Sequence, residues 1–335
     1  LELARTWLRT CQKTHEACRT RATNGPTSLP SRLIKVRALE GSVTHLNLVP
    51  QDDLPLGTKY LTLSHCWGGA DIVKLTEATL SPFQISINPI GLPKSFLDSF
   101  QITVSLGYEF IWIDSLCIIQ DSRMDWECEA ARMASIYQQS VCTIAAVGSE
   151  NSHGGCFKSR STLCFTSCQL ADATSERSGV YVGNYRLPRQ PLHKRAWVLQ
   201  ERALSIRTLN FGSEMLERDC VSAQASEWEP EMLKPDIRSG VKCIFYELCQ
   251  QRSILWWELI REYSSCELSF HSDKWPAIQG LATEVEKKLG YKLHFGLWAH
   301  RLVDELLWTT TFPKEERMNI DAPSWSWLSI DGQVY

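Results

Sequence analysis

Asp114 stands at the end of the apolar run Phe110-Ile-Trp-Ile113 and is followed by Ser115, a short polar loop and a helix-patterned segment bearing Glu127 and Glu129. A carboxylate at the C-terminal end of a buried strand lies where open α/β sheets form their ligand crevices, which makes Asp114 and Ser115 candidate crevice residues. The competing reading is that Asp114 caps the following turn or pairs with an arginine. At about 100° per residue, Glu129 falls beside the stripe Trp126, Ala130, Met133 and Tyr137, whereas Glu127 lies on the opposite, more exposed flank. A carboxylate at the edge of an apolar stripe is partly desolvated. That raises its pKa and suits it to general acid/base work or to stabilising an oxocarbenium ion. Asp114 and Glu129 are therefore the candidate catalytic pair, set against a structural ion pair of Glu129 with an arginine such as Arg132.

Ser64-His-Cys-Trp-Gly68 contains a potential Cys/His pair. Adjacent strand residues point to opposite faces, so His65 and Cys66 are poorly placed to act together. Cys66 or Cys117 with a remote histidine is a weaker nucleophile reading, and Trp67 also reads as a packing wedge. Arg195, Trp197, Gln200, Glu201 and Arg202 make a polar-rich helical cluster. Arg195 suits a clamp on phosphate or carboxylate, or equally a tie to Asp114 or Glu129. Cys11-x3-His15-x2-Cys18 supplies three potential zinc ligands, but no fourth is evident and the spacing matches no standard finger, so no metal site is assigned. No Walker-type phosphate loop, Rossmann glycine fingerprint or His-Glu-x-x-His helix is present.

These residues need elements to position them. Residues 2–20 read as an amphipathic helix, followed by a Thr/Asn/Gly/Pro/Ser-rich loop at 21–31. Leu33–Val49 alternates around Glu40-Gly41 and reads as a hairpin. Tyr60–His65 is a strand running into the turn at Cys66–Gly69. Leu92-Pro93 opens a helix from Lys94 to Leu106 that Gly107 stops. Phe110–Ile113 is a strand, Asp125–Gln138 a helix and Val141–Val147 a buried strand ended by Gly148. Strand, helix, strand, helix, strand argues for a parallel sheet with right-handed crossovers over residues 60–148. Further on, 160–190 is weakly extended, Arg195–Leu204 helical, Arg207–Phe211 a strand and 240–310 mainly helical. The expected organisation is an α/β fold: an N-terminal helix and loop (1–31), a central domain (32–215) with its parallel core near 60–148, and a mainly helical extension (216–335).

At 335 residues, 44% hydrophobic and 22% charged, the chain is long enough for a large buried core and reads as ordinary globular protein. A net charge of -3 gives no electrostatic reason to expect nucleic acid or anionic membrane as a partner. No apolar segment approaches the roughly 20 residues of a membrane span. The start carries neither Met nor a signal-peptide pattern, as if numbering began inside a longer gene product. Thirteen cysteines, an odd number in a large chain, read as reduced thiols packed as small hydrophobes, which implies a reducing, cytoplasmic setting. Thirteen tryptophans spread along the chain point to anchoring of several packed layers.

Three ordered blocks resemble the fungal heterokaryon incompatibility (HET) domain: Tyr60-Leu-Thr-Leu-Ser-His-Cys-Trp-Gly68, then Leu92-Pro-Lys-Ser-Phe96 with Ile111-Trp-Ile-Asp-Ser-Leu-Cys-Ile-Ile-Gln-Asp121, and Arg195-Ala-Trp-Val-Leu-Gln-Glu201. The resemblance implies a fungal protein of non-self recognition and programmed cell death. It also implies a TIR/flavodoxin-like parallel sheet, because HET domains have been likened to TIR domains. Some of those cleave NAD with a glutamate near a strand end, but the loop after Asp114 has no glutamate, so Glu129 would have to serve. Three functions compete. One is a signalling module acting by self-association or protein partners, with Asp114, Glu129 and Arg195 as a structural network. A second is an NAD glycohydrolase using Glu129. The third is a small-molecule cyclase or isomerase of fungal secondary metabolism in the same crevice. In the catalytic readings Ser64, Trp67, Ser115, Gln120, Arg195, Trp197, Gln200 and Glu201 are the candidate substrate-binding residues, with NAD a candidate substrate and no resident cofactor expected.

Overall fold

Four short strands that the sequence buries on both faces form a parallel ribbon: β3 (Leu61–Ser64), β4 (Phe110–Trp112), β5 (Thr143–Ala145) and β8 (Arg207–Phe211). The computed structural model describes residues 1–23, 29–55, 57–69, 72–160, 168–171, 180–182, 190–231, 240–250, 255–310 and 322–335. Parts of the loop expected at 21–31 and of the extended stretch expected at 160–190 lie outside these residues. Antiparallel strands extend the ribbon at both edges. On one side are β1 (Arg32–Leu39) and β2 (Ser42–Pro50), on the other β9 (Leu216–Cys220) and β10 (Gln224–Ser226). The result is one eight-stranded sheet, ordered β10-β9-β8-β5-β3-β4-β1-β2. Two small hairpins, β6–β7 (Cys168–Ala171, Val180–Val182) and β11–β12 (Leu293–His294, Leu297–Trp298), stand apart from it.

The expected N-terminal hairpin forms at Glu40-Gly41, where both residues take positive φ (51° and 80°), the geometry of a tight hairpin turn. It does not stand apart from the parallel core. β1 pairs with β4, placing Ile34 opposite Ile111. Past Phe211, β9 and β10 continue the same sheet, so it runs on to Ser226. The N-terminal helical stretch is broken in two, α1 (Glu2–Thr14) and α2 (Glu16–Thr23), with extended backbone at His15.

Connections from β3 to β4 and from β4 to β5 run in opposite directions along the sheet. Right-handed crossovers then put their helices on opposite faces. α4 (Lys94–Ser105) packs on β1–β4, while α6 (Arg123–Gln139), α7 (Ala196–Leu204) and α10 (Pro276–Leu289) form the other layer. A chain of buried hydroxyls ties strands to helix there. Thr62 Oγ1 and Thr143 Oγ1 are 2.7 Å apart, Thr143 Oγ1 and Ser205 Oγ 2.6 Å, and Ser205 Oγ donates to the Glu201 carbonyl at 2.6 Å. Trp7, Trp112, Trp256, Trp298 and Trp327 are fully buried from one end of the chain to the other, as expected of layer anchors. Among the described residues no helix is long and apolar enough to cross a membrane.

The remaining helices are α3 (Glu77–Ile85), the single turn α5 (Asp114–Cys117), α8 (Val241–Leu248), α9 (Trp256–Ser264) and α11 (Leu302–Glu305). β3 connects onward to β4 on one side and β5 to β8 on the other, so the order reverses between β3 and β5. The crevice of an open α/β sheet is expected beyond the C-terminal ends of such strands.

Candidate functional site

Beyond those strand ends lies a cleft of about 850 Å³. Its floor carries Cys66, Trp67, Asp114 and Glu201, its walls Trp126, Ala130, Met133 and Trp197, and its rim Lys74, Glu150, Lys194 and Phe270. The stripe Trp126, Ala130, Met133 that the periodicity assigns to a buried face therefore lines the cleft, while Met133 and, one turn further, Tyr137 also enter the core.

Period-two alternation sorts the end of β3. Ser64 lies toward α6 and α7, where with Tyr137 it faces the Glu201 carboxyl. His65 turns the other way and meets Phe96 of α4 edge-on, with ring centroids 5.1 Å apart. Cys66 turns back to pack with Ala145, Val147, Leu192 and Val198. His65 and Cys66 indeed point to different faces. His65 nevertheless reaches the site, with Nδ1 3.8 Å from Asp114 Oδ1. Burial pushes its pKa down to about 4 against the pull of Asp114, with Arg195 pushing further down. The imidazole is thus neutral at pH 7, and among the described residues neither ring nitrogen has a hydrogen-bond partner.

Asp114 opens α5 and is held from two sides. The Trp67 indole donates to Oδ2 at 2.9 Å, and the Ser115 backbone N–H donates to Oδ1 at 2.7 Å. Trp67 thus holds the Asp114 carboxylate, and Lys74 lies over its ring at 5.4 Å. Ser115 is buried, while the Gln120 amide donates to the carbonyls of Asp114 (3.2 Å) and Ile118 (2.9 Å) at the cleft wall.

α7 brings three further candidates. Arg195, at its N-cap, donates to the His65 carbonyl at 2.5 Å and so ties the helix to the end of β3. Trp197 donates to Asp273 Oδ2 at 3.1 Å. Glu201 is buried, its Oε2 without a hydrogen-bond partner among the described residues, and burial raises its pKa to about 7; Ser64 and Arg195 hold it lower, Asp114 pushes it up. Gln200 turns away and accepts from the Gly280 N–H at 3.1 Å, fastening α10.

Glu129 does not line this cleft. It is buried, accepts from Ser31 Oγ at 2.6 Å and pairs with Arg132 at 3.0 Å. Arg132 in turn donates to the Leu29 carbonyl at 2.5 Å. These contacts fasten α6 to the segment entering β1. Glu127 is exposed and pairs with Arg123 at 2.8 Å.

The segment Glu267–Asp273 after α9 closes the cleft. Its Glu267 exchanges backbone hydrogen bonds with Lys194 and Ala196 (2.6 and 3.0 Å). Lys74, Trp126, Lys194 and Phe270 are cleft residues the sequence reading did not select. Trp126 and Met133 had a legible signal in their helical spacing, but Lys74 and Phe270 had none.

Gly68 shapes the entrance. Its φ is +70°, and an added Cβ would sit 2.2 Å from Asn151 Cβ and 2.8 Å from the Glu150 carbonyl. Gly69 has φ +65°, and an added Cβ there would meet none of the described residues within 4 Å. Both positions cost an L-residue about 1–2 kcal/mol in backbone conformation. Gly68→Ala adds a backbone clash and is expected to lower the thermal unfolding midpoint clearly more than Gly69→Ala. Equal losses would mean that the Asn151 contact does not shape the turn.

Residues 60–201 match the family model described as Heterokaryon incompatibility protein (HET). The span begins just before β3 and ends on Glu201. No curated protein and no solved structure matches the chain.

Proposed function

Residues 60–201 being a HET domain, we propose that the chain acts in heterokaryon incompatibility as an effector whose cleft binds and cleaves a dinucleotide of the NAD class. The observation that carries this reading is Glu201, a buried carboxyl with a pKa raised to about 7, on the floor of a cleft that also presents Asp114. Strongly perturbed acids in a concave site are characteristic of catalytic centres. The walls suit the ligand. Trp67, Trp126 and Trp197 offer faces for planar rings, and Lys74, Lys194 and Arg195 offer cations for a diphosphate.

Cleavage of the nicotinamide–ribose bond sends its electron pair to the pyridinium, which leaves as neutral nicotinamide and needs no acid. Positive charge develops on the ribose. Asp114, held by Trp67 and Ser115, supplies the facing carboxylate. Deprotonated Glu201 takes the proton from the water that adds to the ribose carbon, and that proton passes to solvent. Glu129, in its contacts with Arg132 and Ser31, supports the fold instead.

Nicotinamide release from NAD by the purified chain tests the reading. Release should rise as pH passes about 7, where Glu201 loses its proton, and should fall by at least about 100-fold in Glu201→Gln, the usual scale for a general base. Glu129→Gln should retain it. A folded wild-type chain that neither binds nor cleaves NAD overturns the proposal.

A further inference from the structure

We propose that Cys11, His15, Cys18 and Cys220 form a structural zinc site that clamps the chain preceding the HET domain to the β9–β10 hairpin following it. The first three residues lie at helical spacing across the α1–α2 break, and the extended backbone at His15 lets the run of ligands bend around one point. The fourth ligand, absent from any local motif, arrives from the end of β9, 202 residues after Cys18. One ligand atom from each of the four lies within 4.8 Å of all the others. His15 Nδ1 and Cys220 Sγ are 3.4 Å apart. A tetrahedral zinc with Zn–S about 2.3 Å and Zn–N about 2.0–2.1 Å has edges of roughly 3.5–3.8 Å, so small side-chain adjustments close the set.

The surroundings argue for anionic sulfur over three reduced thiols packed as hydrophobes. Arg207 is buried and its Nε donates to Cys11 Sγ at 3.0 Å. The Arg207 guanidinium stays charged, and burying it beside a sulfur is costly unless that sulfur is anionic. Three thiolates and a neutral imidazole around Zn²⁺ carry a net single negative charge, which supplies a negative partner. Ser222 Oγ lies 3.6 Å from Cys18 Sγ and completes a polar outer shell of the kind that orients metal ligands. With four protein ligands and no open position, the site is structural. On binding, the cysteine thiols release their protons and zinc–sulfur bonds form without oxidation.

Elemental analysis of the full chain, purified under reducing conditions without chelators from zinc-supplemented medium, tests the assignment. One zinc per chain is expected, falling to background in Cys220→Ser and Cys18→Ser and unchanged in Cys128→Ser, a cysteine exposed on α6. Ligand variants that fail to fold leave a second readout on the wild type. After zinc removal and loading with Co²⁺, the chain should show thiolate-to-cobalt charge-transfer bands and the intense visible bands of a tetrahedral site. A zinc-free wild type that takes up no cobalt overturns the proposal, as does a full equivalent of zinc retained in Cys220→Ser, or a disulfide among Cys11, Cys18 and Cys220.

Discussion

Glu201→Gln is expected to stabilise the folded chain by about 3 kcal/mol above pH 7 while removing the turnover proposed for the cleft. Folding raises the Glu201 pKa from 4.5 to about 7, chiefly through burial. Each pKa unit is worth about 1.4 kcal/mol between protonation states, which gives the figure of about 3 kcal/mol. The sign follows from proton binding. Between about 4.5 and 7 the native state holds this proton and the unfolded state does not, so stability falls as pH rises through that window. Below pH 4.5 both states are protonated and the cost is absent; above 7 it is complete. Glutamine fills the same volume without a charge to desolvate, so the gain over wild type should be near zero at pH 4.5 and full at pH 8. Urea unfolding at the two pH values measures it. A gain of equal size at both would show that Glu201 is not a desolvated acid. Retention of a destabilising buried charge fits a group kept for activity, the trade common at active sites.

The parallel strands and their helices were legible because each had its own local signal. β3, β4 and β5 are apolar runs ended by polar or glycine residues, α4 opens at Leu92-Pro93 and stops at Gly107, and Glu40-Gly41 can hardly be read as anything but a turn. Asp114 was legible for the same reason, since a strand end in an open sheet is a place as well as a residue type. The edges of the sheet were not. Nothing local in β1 says that Ile34 will pair with Ile111, nor in β9 that it will follow β8 into the sheet.

Long-range pairing also decided which glutamate reached the cleft. The helical wheel correctly put Glu129 at the flank of an apolar stripe, and the structure buries it there. What occupies that flank, however, is Ser31 from the entry to β1, together with Arg132 and the Leu29 carbonyl it binds. Glu201 carried no stripe signal, yet α7 lays it against Ser64 and Tyr137. Cys220 is the same case. Its partners are about 200 residues away, so sequence spacing could not supply the fourth ligand.

Trp112→Ala should cost about 3–5 kcal/mol, the range for emptying a large aromatic from a core. Against a total stability of about 5–15 kcal/mol that is enough to leave the chain marginal. Trp112 is fully buried on β4, in register with Thr62 of β3, and its ring meets Tyr137 of α6 edge-on at 5.8 Å and 77°. It fills the space between the centre of the sheet and the helix that walls the cleft, two residues before Asp114. Strands on either side of β4 and α6 across it leave little freedom to collapse into the void, which places the cost toward the upper end. Trp112→Phe should behave very differently. The indole Nε1 is buried without a hydrogen-bond partner among the described residues. Phenylalanine keeps a ring edge against Tyr137 and removes that unsatisfied donor, worth about 1–3 kcal/mol, which offsets much of the lost contact area. Urea midpoints at unchanged m-value separate the two variants. A Trp112→Ala loss below about 1 kcal/mol would mean that the sheet and α6 close over the gap, and that Asp114 does not depend on this ring for its position.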